Sequence, residues 1–243
     1  EDRVVGVEYQ DSEDNKVSLM ARFVVDASGQ SAIISRLKGA RKWDESFRNL
    51  AVYGYFEGIT RLPSPDQNNI FVESYADGWV WNIPLKDGLS SVGAVVDGKK
   101  ATKVLKDQSI QQFFENQISA TSYNREMIST GEQVGPPTVV RDWSYISEEM
   151  AGPGWVSAGD AACFIDPLFS SGVHIALMSG VLSSAYAVTS LESPEMSEPT
   201  AAVYQEMILR EYSLFRELAN LFYESNRSVD SYFWEARRIA GTM

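Results

Sequence analysis

The stretch Gly159–His174, GDAACFIDPLFSSGVH, decides the fold. It follows the apolar run Trp155–Ala158 and leads into the long apolar run Val173–Leu191. This order predicts a strand, then a turn, then a long buried helix. Aspartates, serines and glycines are interleaved with residues that are normally buried, so the turn is expected to meet something polar.

The predicted turn suits an anion or a flat ring that carries negative charge. Free backbone N–H groups and the positive end of the helix dipole gather at the start of a helix. Asp160 at a strand end suits a ribose or ribityl hydroxyl, while Pro167 and Gly172 let the backbone lie against a ring. Taken alone, each residue also has a simpler interpretation, with Ser170 or Ser171 as a helix N-cap and Asp160 as an ordinary turn residue.

Composition excludes several classes of partner. The 243 residues carry a net charge of −12, with 33 acidic and 21 basic side chains, which argues against nucleic acid and anionic membranes. Cys163 is the single cysteine and cannot form an internal disulfide, so a cytoplasmic protein is expected. No apolar run is expected to span a membrane. Glu1 opens the chain without an initiator Met or a signal peptide, which suggests a piece of a longer protein.

The remaining segments divide into strands and helices. Near the amino end, Val4–Tyr9 and Val17–Ala21 predict a hairpin, and Arg22–Ala27 predicts a buried strand. A helix is expected over residues 102–119. The C-terminal helix is expected to be amphipathic, with Val203, Met207, Leu214, Leu218 and Phe222 on its apolar face. The middle of the chain predicts an antiparallel sheet made of Ala51–Phe56, Ile70–Tyr75, Trp79–Pro84 and Ser91–Val96.

Several motifs carry a resemblance to a known family. Trp79–Pro84, WVWNIP, matches the W-x-W-x-I-P signature of flavin-dependent halogenases. Gly159-Asp160 together with Asp166–Gly172, DPLFSSG, resembles the second flavin-binding segment of that family. Val25–Gly29, VDASG, and Asp142–Tyr145, DWSY, also resemble the family, although related flavin hydroxylases and reductases share these two.

The resemblance implies a mixed α/β fold, the FAD-binding flavin-monooxygenase-like fold with an inserted antiparallel sheet for the substrate. The expected parts are FAD-binding residues 1–46 and 146–191, a substrate domain over 47–145 and a helical region over 192–243. The glycine-rich G-x-G-x-x-G turn and the catalytic lysine of the family have no match here. The fold is therefore expected to be incomplete at its N-terminus, and the chain alone is expected to bind FAD weakly and to be inactive.

The resemblance also implies a mechanism. Reduced FAD, supplied by a separate flavin reductase, forms a flavin hydroperoxide with oxygen. Chloride or bromide attacks it, and the hypohalous acid produced halogenates a small aromatic substrate that is either free or tethered to a carrier protein. The direct passage of the hydroperoxide to the substrate would be restricted by Trp79 and Trp81.

The resemblance assigns roles to individual residues. Ser171 and Gly172 would bind halide, and Phe169 would wall the flavin beside the catalytic tryptophans. The residues expected to bind FAD are Asp26, Gly29, Gly159, Asp160, Pro167 and Gly172. His174 is the one histidine, so a multi-histidine metal site is not expected.

Phe169 also points to a branch of the family. Halogenases that act on tryptophan usually carry a glutamate there, followed by Ser-Thr instead of Ser170-Ser171, so the resemblance favours a phenol or a pyrrole as substrate. Two alternatives stay open from the sequence. In the first, the protein would be a flavin-dependent hydroxylase or a geranylgeranyl-reductase-like enzyme. In the second, it would be a truncated, non-catalytic binding module.

Overall fold

A computed structural model describes residues 3–225, apart from the side chains of Asp142 and Trp143. The side chains that open the DWSY motif and the last part of the predicted region 192–243 therefore lie outside the described residues. The chain forms two compact units. Among the described residues, the first unit contains 3–44 and 144–219, and the second contains 45–143 and 220–225.

The described residues form eleven strands and six α-helices. The strands are β1 (Gly6–Gln10), β2 (Lys16–Met20), β3 (Val24–Asp26), β4 (Arg41–Glu57), β5 (Phe71–Tyr75), β6 (Gly78–Pro84), β7 (Leu89–Asp97), β8 (Glu132–Ser147), β9 (Ala151–Gly152), β10 (Trp155–Ser157) and β11 (Cys163–Phe164). The helices are α1 (Ile33–Lys38), α2 (Gly98–Val104), α3 (Ile110–Ser119), α4 (Tyr123–Ile128), α5 (Ser171–Glu192) and α6 (Ser197–Ser225).

In the first unit, two strands distant in sequence lie side by side. Strands β3 and β10 pair in parallel, with Ser157 opposite Asp26, and β9 flanks β10 on its other side. The N–H of Ala158 continues the pairing by donating to the carbonyl of Asp26 at 2.9 Å. The predicted hairpin is confirmed as β1 and β2 in antiparallel register. Strand β3 is shorter than expected, and Val25 is 49% exposed, so the expectation of a wholly buried strand was wrong.

Within the first unit, helix α6 packs into the core through tyrosines. Tyr204 donates its hydroxyl to the carbonyl of Ser157 at 2.5 Å, which satisfies a polar group inside the core. Burial raises the pKa of Tyr204 and of Tyr212 above the usual value for tyrosine. The aliphatic face expected for this helix was wrong, because Val203, Met207, Leu214 and Leu218 are exposed. The buried cluster around the tyrosines includes Met150, Val156, Ile165, Ile175, Tyr186 and Ile208.

Helix α5 confirms the predicted long helix but not its complete burial. Ile175 and Tyr186 are buried in the core, whereas Val173, Leu177 and Val181 are 70–72% exposed. By length and composition alone the helix is apolar enough to cross a membrane, which the sequence did not lead us to expect. One side of α5 packs in the buried cluster of the first unit, and 22% of its most apolar 18-residue window is buried.

In the second unit, a sheet has helices on one face. Its order is β8-β4-β7-β6-β5, and the pairs β4–β7, β7–β6 and β6–β5 are antiparallel. The antiparallel sheet expected for this region is therefore confirmed. The core between the sheet and the helices includes Leu50, Val52, Phe56, Val80, Val92, Phe113 and Phe114.

The helix expected over residues 102–119 is two helices, α2 and α3. Asp97 caps the first by accepting from the N–H groups of Lys99 and Lys100, and Ser109 caps the second by accepting from Gln112. Each cap marks the start of a separate helix, so the chain turns between α2 and α3. A third helix, α4, follows and was not expected from the sequence.

Glu73 on β5 caps α4 and gives a test of this part of the fold. Its carboxylate accepts from the N–H groups of Ser122, Tyr123 and Asn124 at 2.8–3.1 Å, and from the Asn124 side chain. We expect Glu73→Ala to lower the free energy of unfolding by about 1–2 kcal/mol, because three helix N–H groups lose their acceptor. Thermal denaturation followed by circular dichroism measures the loss.

Glu132→Ala is the matched control for this substitution. Glu132 is exposed on β8, and its side chain makes no hydrogen bond or ion pair with the described residues. Its replacement should change the free energy of unfolding by less than about 0.5 kcal/mol. Equal effects of the two substitutions would contradict the capping role of Glu73.

Candidate functional site

A cavity of about 760 Å³ opens in the first unit where β3 and β10 end. Its lining includes Gly29, Gly159, Asp160 and Gly172, together with Phe164 and Gly180. The two turns that follow β3 and β10 therefore meet at one site, as expected from the sequence. A crevice beyond the carboxyl ends of adjacent parallel strands is where folds of this class bind ligands, and the volume suits a cofactor.

The first turn is shaped by Asp26. One carboxylate oxygen accepts from the N–H and the hydroxyl of Ser28, at 3.1 and 2.6 Å, and the other accepts from the N–H of Ile34 at 2.8 Å. Both oxygens are thus engaged within the protein. Gly29 has φ of +62°, and no atom lies within 4 Å of where a side chain would begin. Asp26 consequently holds the turn, while Gly29 leaves its open side to the cavity.

The second turn approaches helix α5 closely. Gly159 has φ of +59°, and a Cβ there would come within 3.3 Å of the Cβ of Ala176. Its N–H donates to the hydroxyl of Ser179 at 2.7 Å. This backbone conformation and close approach both require glycine. The turn is therefore fixed against α5 by its own backbone.

Asp160 presents a carboxylate to the cavity. Burial raises the pKa of this carboxyl above its usual value. None of the described residues donates a hydrogen bond to this carboxylate. A partly buried acceptor of this kind is suited to the hydroxyl group of a ligand.

The start of α5 follows a short turn at Pro167–Phe169. Asp166 caps this turn by accepting from the N–H of Leu168 at 3.0 Å. Ser170 then adopts left-handed backbone angles, with φ of +51°, before the helix begins at Ser171. The chain direction therefore changes within one residue.

The predicted halide and flavin-wall residues occupy different environments around this turn. Ser171 is only 4% exposed, and Phe169 is 43% exposed. Gly172 borders the cavity, and a Cβ there would lie 4.0 Å from Oδ1 of Asp160. Pro167 shapes the turn and does not line the cavity.

The predicted catalytic tryptophans lie in the second unit and differ in exposure. Trp79 is 1% exposed, and its indole N–H donates to the hydroxyl of Tyr223 at 2.8 Å. Trp81 is half-buried and lies flat over Gly93, where a Cβ would come within 2.2 Å of the indole ring. Its N–H donates to the hydroxyl of Ser91 at 3.2 Å. Trp81 is therefore the tryptophan that can contact a ligand.

Trp81 belongs to an aromatic face of the sheet, opposite the face covered by α2–α4. Tyr53 lies across Gly93 from Trp81 in the strand register, with ring centroids 6.2 Å apart. Tyr55 follows on the same face and its ring contacts Tyr53 edge-on at 6.0 Å. This partly exposed surface suits the packing of a flat aromatic molecule.

Three further residues around the cavity had no role assigned from the sequence. Arg41 contacts the Gly29 turn, and Tyr145 contacts the Asp160 turn. Phe164 lines the cavity and packs against Tyr145 at 6.3 Å. Tyr145 was visible in the DWSY motif but without a role, and Arg41 stands in no recognised motif.

His174 is paired with an acidic residue, and Cys163 is buried. His174 has an acidic partner that was not evident from the sequence, because Glu211 on α6 lies 3.1 Å away. Cys163 is buried, which raises the pKa of its thiol to about 12. Across residues 3–225, no three His, Cys, Asp or Glu side chains lie together as metal ligands.

Comparisons with known proteins agree with this geometry. A family model described as tryptophan halogenase matches residues 1–243. A tryptophan 2-halogenase from Chondromyces crocatus is 32% identical over 92% of the chain. A chlorinase of carrier-bound 1H-pyrrole-2-carbonyl groups from Pseudomonas fluorescens is 32% identical over 86% of it. The chain spans about half the length of these relatives, 43% and 48% respectively.

A solved structure shares the fold over nearly the whole chain. The myxobacterial chondrochloren halogenase CndH, described as a variant of FAD-dependent halogenases, superimposes with a TM-score of 0.91 and 38% identity. The match covers 97% of this chain and 55% of that one. The predicted flavin-halogenase-like fold is confirmed. With the family model matching from end to end, the chain belongs to the tryptophan halogenase family of flavin-dependent enzymes.

Proposed function

We propose that this protein is a reduced-FAD-dependent halogenase that chlorinates or brominates an electron-rich phenol or pyrrole. The observation that carries the proposal is the cavity at which the Gly29 and Gly159 turns meet. Membership of the halogenase family supports the reaction type. The aromatic face around Trp81 supports an aromatic substrate.

The cavity residues fit FAD. Gly29 and Gly172 leave backbone open to a flat ring, and the carboxylate of Asp160 can accept from a hydroxyl of the cofactor's sugar-like chain. The N-terminal end of α5 favours negative charge on the ring. When bound, reduced FAD would supply two electrons to oxygen, and oxygen at the peroxide level would then take two electrons from halide to give an electrophilic halogen.

Halide binding is assigned to the start of α5. The hydroxyl of Ser171 and the N–H of Gly172 are donors at a helix N-terminus, which is a suitable environment for a small anion. Ser170 directs this turn through its left-handed backbone. Phe169 supports the phenol or pyrrole class, since an electron-rich ring needs less stabilisation by a nearby carboxylate when it reacts.

The remaining partners are part of the same proposal. A separate flavin reductase supplies reduced FAD, and the substrate is either free or held on a carrier protein. The carrier-bound form is supported by the relative from Pseudomonas fluorescens, whose name specifies a substrate on a peptidyl-carrier protein. A cytoplasmic location fits these partners.

A direct assay decides among the open functions. The protein, produced from its whole reading frame, is combined with a flavin reductase, NADH, FAD and a panel of phenols and pyrroles, with and without chloride or bromide. We expect products that carry halogen, identified by their isotope pattern in mass spectrometry. Oxygenated products without halide would instead indicate a hydroxylase, reduced double bonds a reductase, and no product a binding module.

Ser171→Val should impair halide use more than flavin use. The substitution removes a donor and crowds the turn, so the KM for halide should rise roughly tenfold or more, while the KM for reduced FAD changes little. Steady-state kinetics at varied halide and flavin concentrations separate the two. Ser171→Ala removes the hydroxyl without crowding and should show the same selectivity. Unchanged halide dependence in both variants would remove Ser171 from the halide site.

Asp160→Asn should stabilise the flavin-free protein while it weakens FAD binding. The carboxyl has a raised pKa in the folded state, so its ionisation costs stability as pH rises above its ordinary value of 3.8. The variant should therefore melt at a higher temperature at pH 7, and the difference should shrink toward pH 4. Its affinity for FAD should fall, because an amide is a weaker acceptor than a carboxylate.

Asp107→Asn is the control for this change. Asp107 is exposed in the second unit, and its carboxylate makes no hydrogen bond or ion pair with the described residues. Calorimetry and FAD titration should both give wild-type values for it. An Asp160→Asn variant that bound FAD as tightly as this control would exclude the carboxylate from the cofactor site.

A further inference from the structure

Arg41, at the start of β4, lies where the two cavity turns are joined. Its Nη2 donates to the carbonyl of Gln30, which belongs to the Gly29 turn, at 2.8 Å. Its guanidinium carbon lies 4.2 Å from the centre of the Tyr145 ring and 5.1 Å from that of Trp43. The guanidinium thus lies over two neighbouring rings that contact each other edge-on, and its positive charge is attracted to the ring faces.

Tyr145 continues this connection to the other turn. Its hydroxyl donates to the main-chain carbonyl of Asp160 at 2.5 Å. Burial raises the pKa of the Tyr145 hydroxyl, and the nearby Arg41 partly opposes the rise. The hydroxyl therefore stays protonated and remains a donor at neutral pH. Its ring also packs against Phe164, which lines the cavity.

Arg216, a second arginine in the same unit, forms an ion pair with a carboxylate. Arg216 donates to the carboxylate of Asp44 at 2.5 Å. Arg41, by contrast, makes no ion pair within residues 3–225, and its buried Nε has no acceptor there. The position of its side chain is instead determined by the carbonyl of Gln30 and by the rings of Tyr145 and Trp43. It therefore depends on residues that contact or form the cavity turns.

We propose that Arg41 is a positioning residue for the cofactor site. Together with Tyr145 it sets the separation between the Gly29 turn and the Asp160 turn, the two walls between which a flat ring must fit. The identity of the ligand as FAD rests on the proposed function. The contacts that join the two turns do not depend on it.

The test measures FAD affinity directly, by quenching of flavin fluorescence on titration with the protein produced from its whole reading frame. Arg41→Lys keeps the charge but removes the planar group that stacks on Tyr145, and Tyr145→Phe keeps the ring but removes the donor to Asp160. We expect each to weaken FAD binding roughly tenfold, as loss of a supporting shell typically does. The double variant should bind FAD no more than about threefold less tightly than the single variant with the lower affinity. Both substitutions break the same set of contacts between the two turns, so their effects should not multiply.

Arg36→Lys is the matched control, since Arg36 is exposed on α1 and its side chain has no partner among the described residues. It should bind FAD like the wild type. The melting temperature of each flavin-free variant is measured alongside. Affinity losses in Arg41→Lys without a matching loss in melting temperature separate positioning from general destabilisation.

Three results would overturn the inference. The first is an Arg41→Lys variant that binds FAD as tightly as Arg36→Lys, and the second is a double variant whose loss is the product of the single losses. If Arg41→Lys does not fold, the Tyr145→Phe variant is used in its place. An unchanged affinity of Tyr145→Phe for FAD is the third contradicting result. A wild-type protein that binds no FAD would overturn the proposed function itself, so the two failures are distinguishable.

Discussion

The candidate site depends on the parallel pairing of β3 with β10. More than a hundred residues of chain separate the two strands, yet Val24 lies opposite Trp155 and Ser157 opposite Asp26. Because parallel strands end at the same edge, the turn after each strand reaches one cavity. Asp26 then organises one turn through three hydrogen bonds, while Gly159 lets the other lie against α5. A shift of this register by one residue would turn these groups away from each other.

The second unit presents a partly exposed aromatic surface on one face of its sheet. Helices α2–α4 cover one face of its sheet, so the core residues on that face are shielded from water. On the opposite face, Tyr53 contacts both Trp81 and Tyr55. Gly93 makes room for the indole of Trp81, which fixes that ring flat on the sheet. An aromatic surface of this kind offers packing without the flexibility of a loop.

The sequence predicted the elements that have a local signal. The alternation of Trp79 and Trp81 predicted their shared strand face, and the Gly159–His174 stretch predicted a turn before a long helix. It did not predict which face of α6 is buried, because tyrosines such as Tyr204 are buried only when a distant carbonyl, here that of Ser157, accepts their hydroxyl. The exposed valines of α5 were missed for a related reason, since hydrophobicity along a helix does not say which side meets a neighbour. The role of Arg41 could not be predicted from the sequence. It depends on contacts with Gln30 and Tyr145, which only the fold brings together.

A structure with the cofactor bound tests the central claim most directly. The protein is crystallised or imaged with FAD, and the position of the isoalloxazine ring is read from the density. We expect the ring in the cavity between the Gly29 turn and the Gly159–Asp160 turn, near the start of α5. A ring bound elsewhere, with this cavity filled only by solvent, would contradict it.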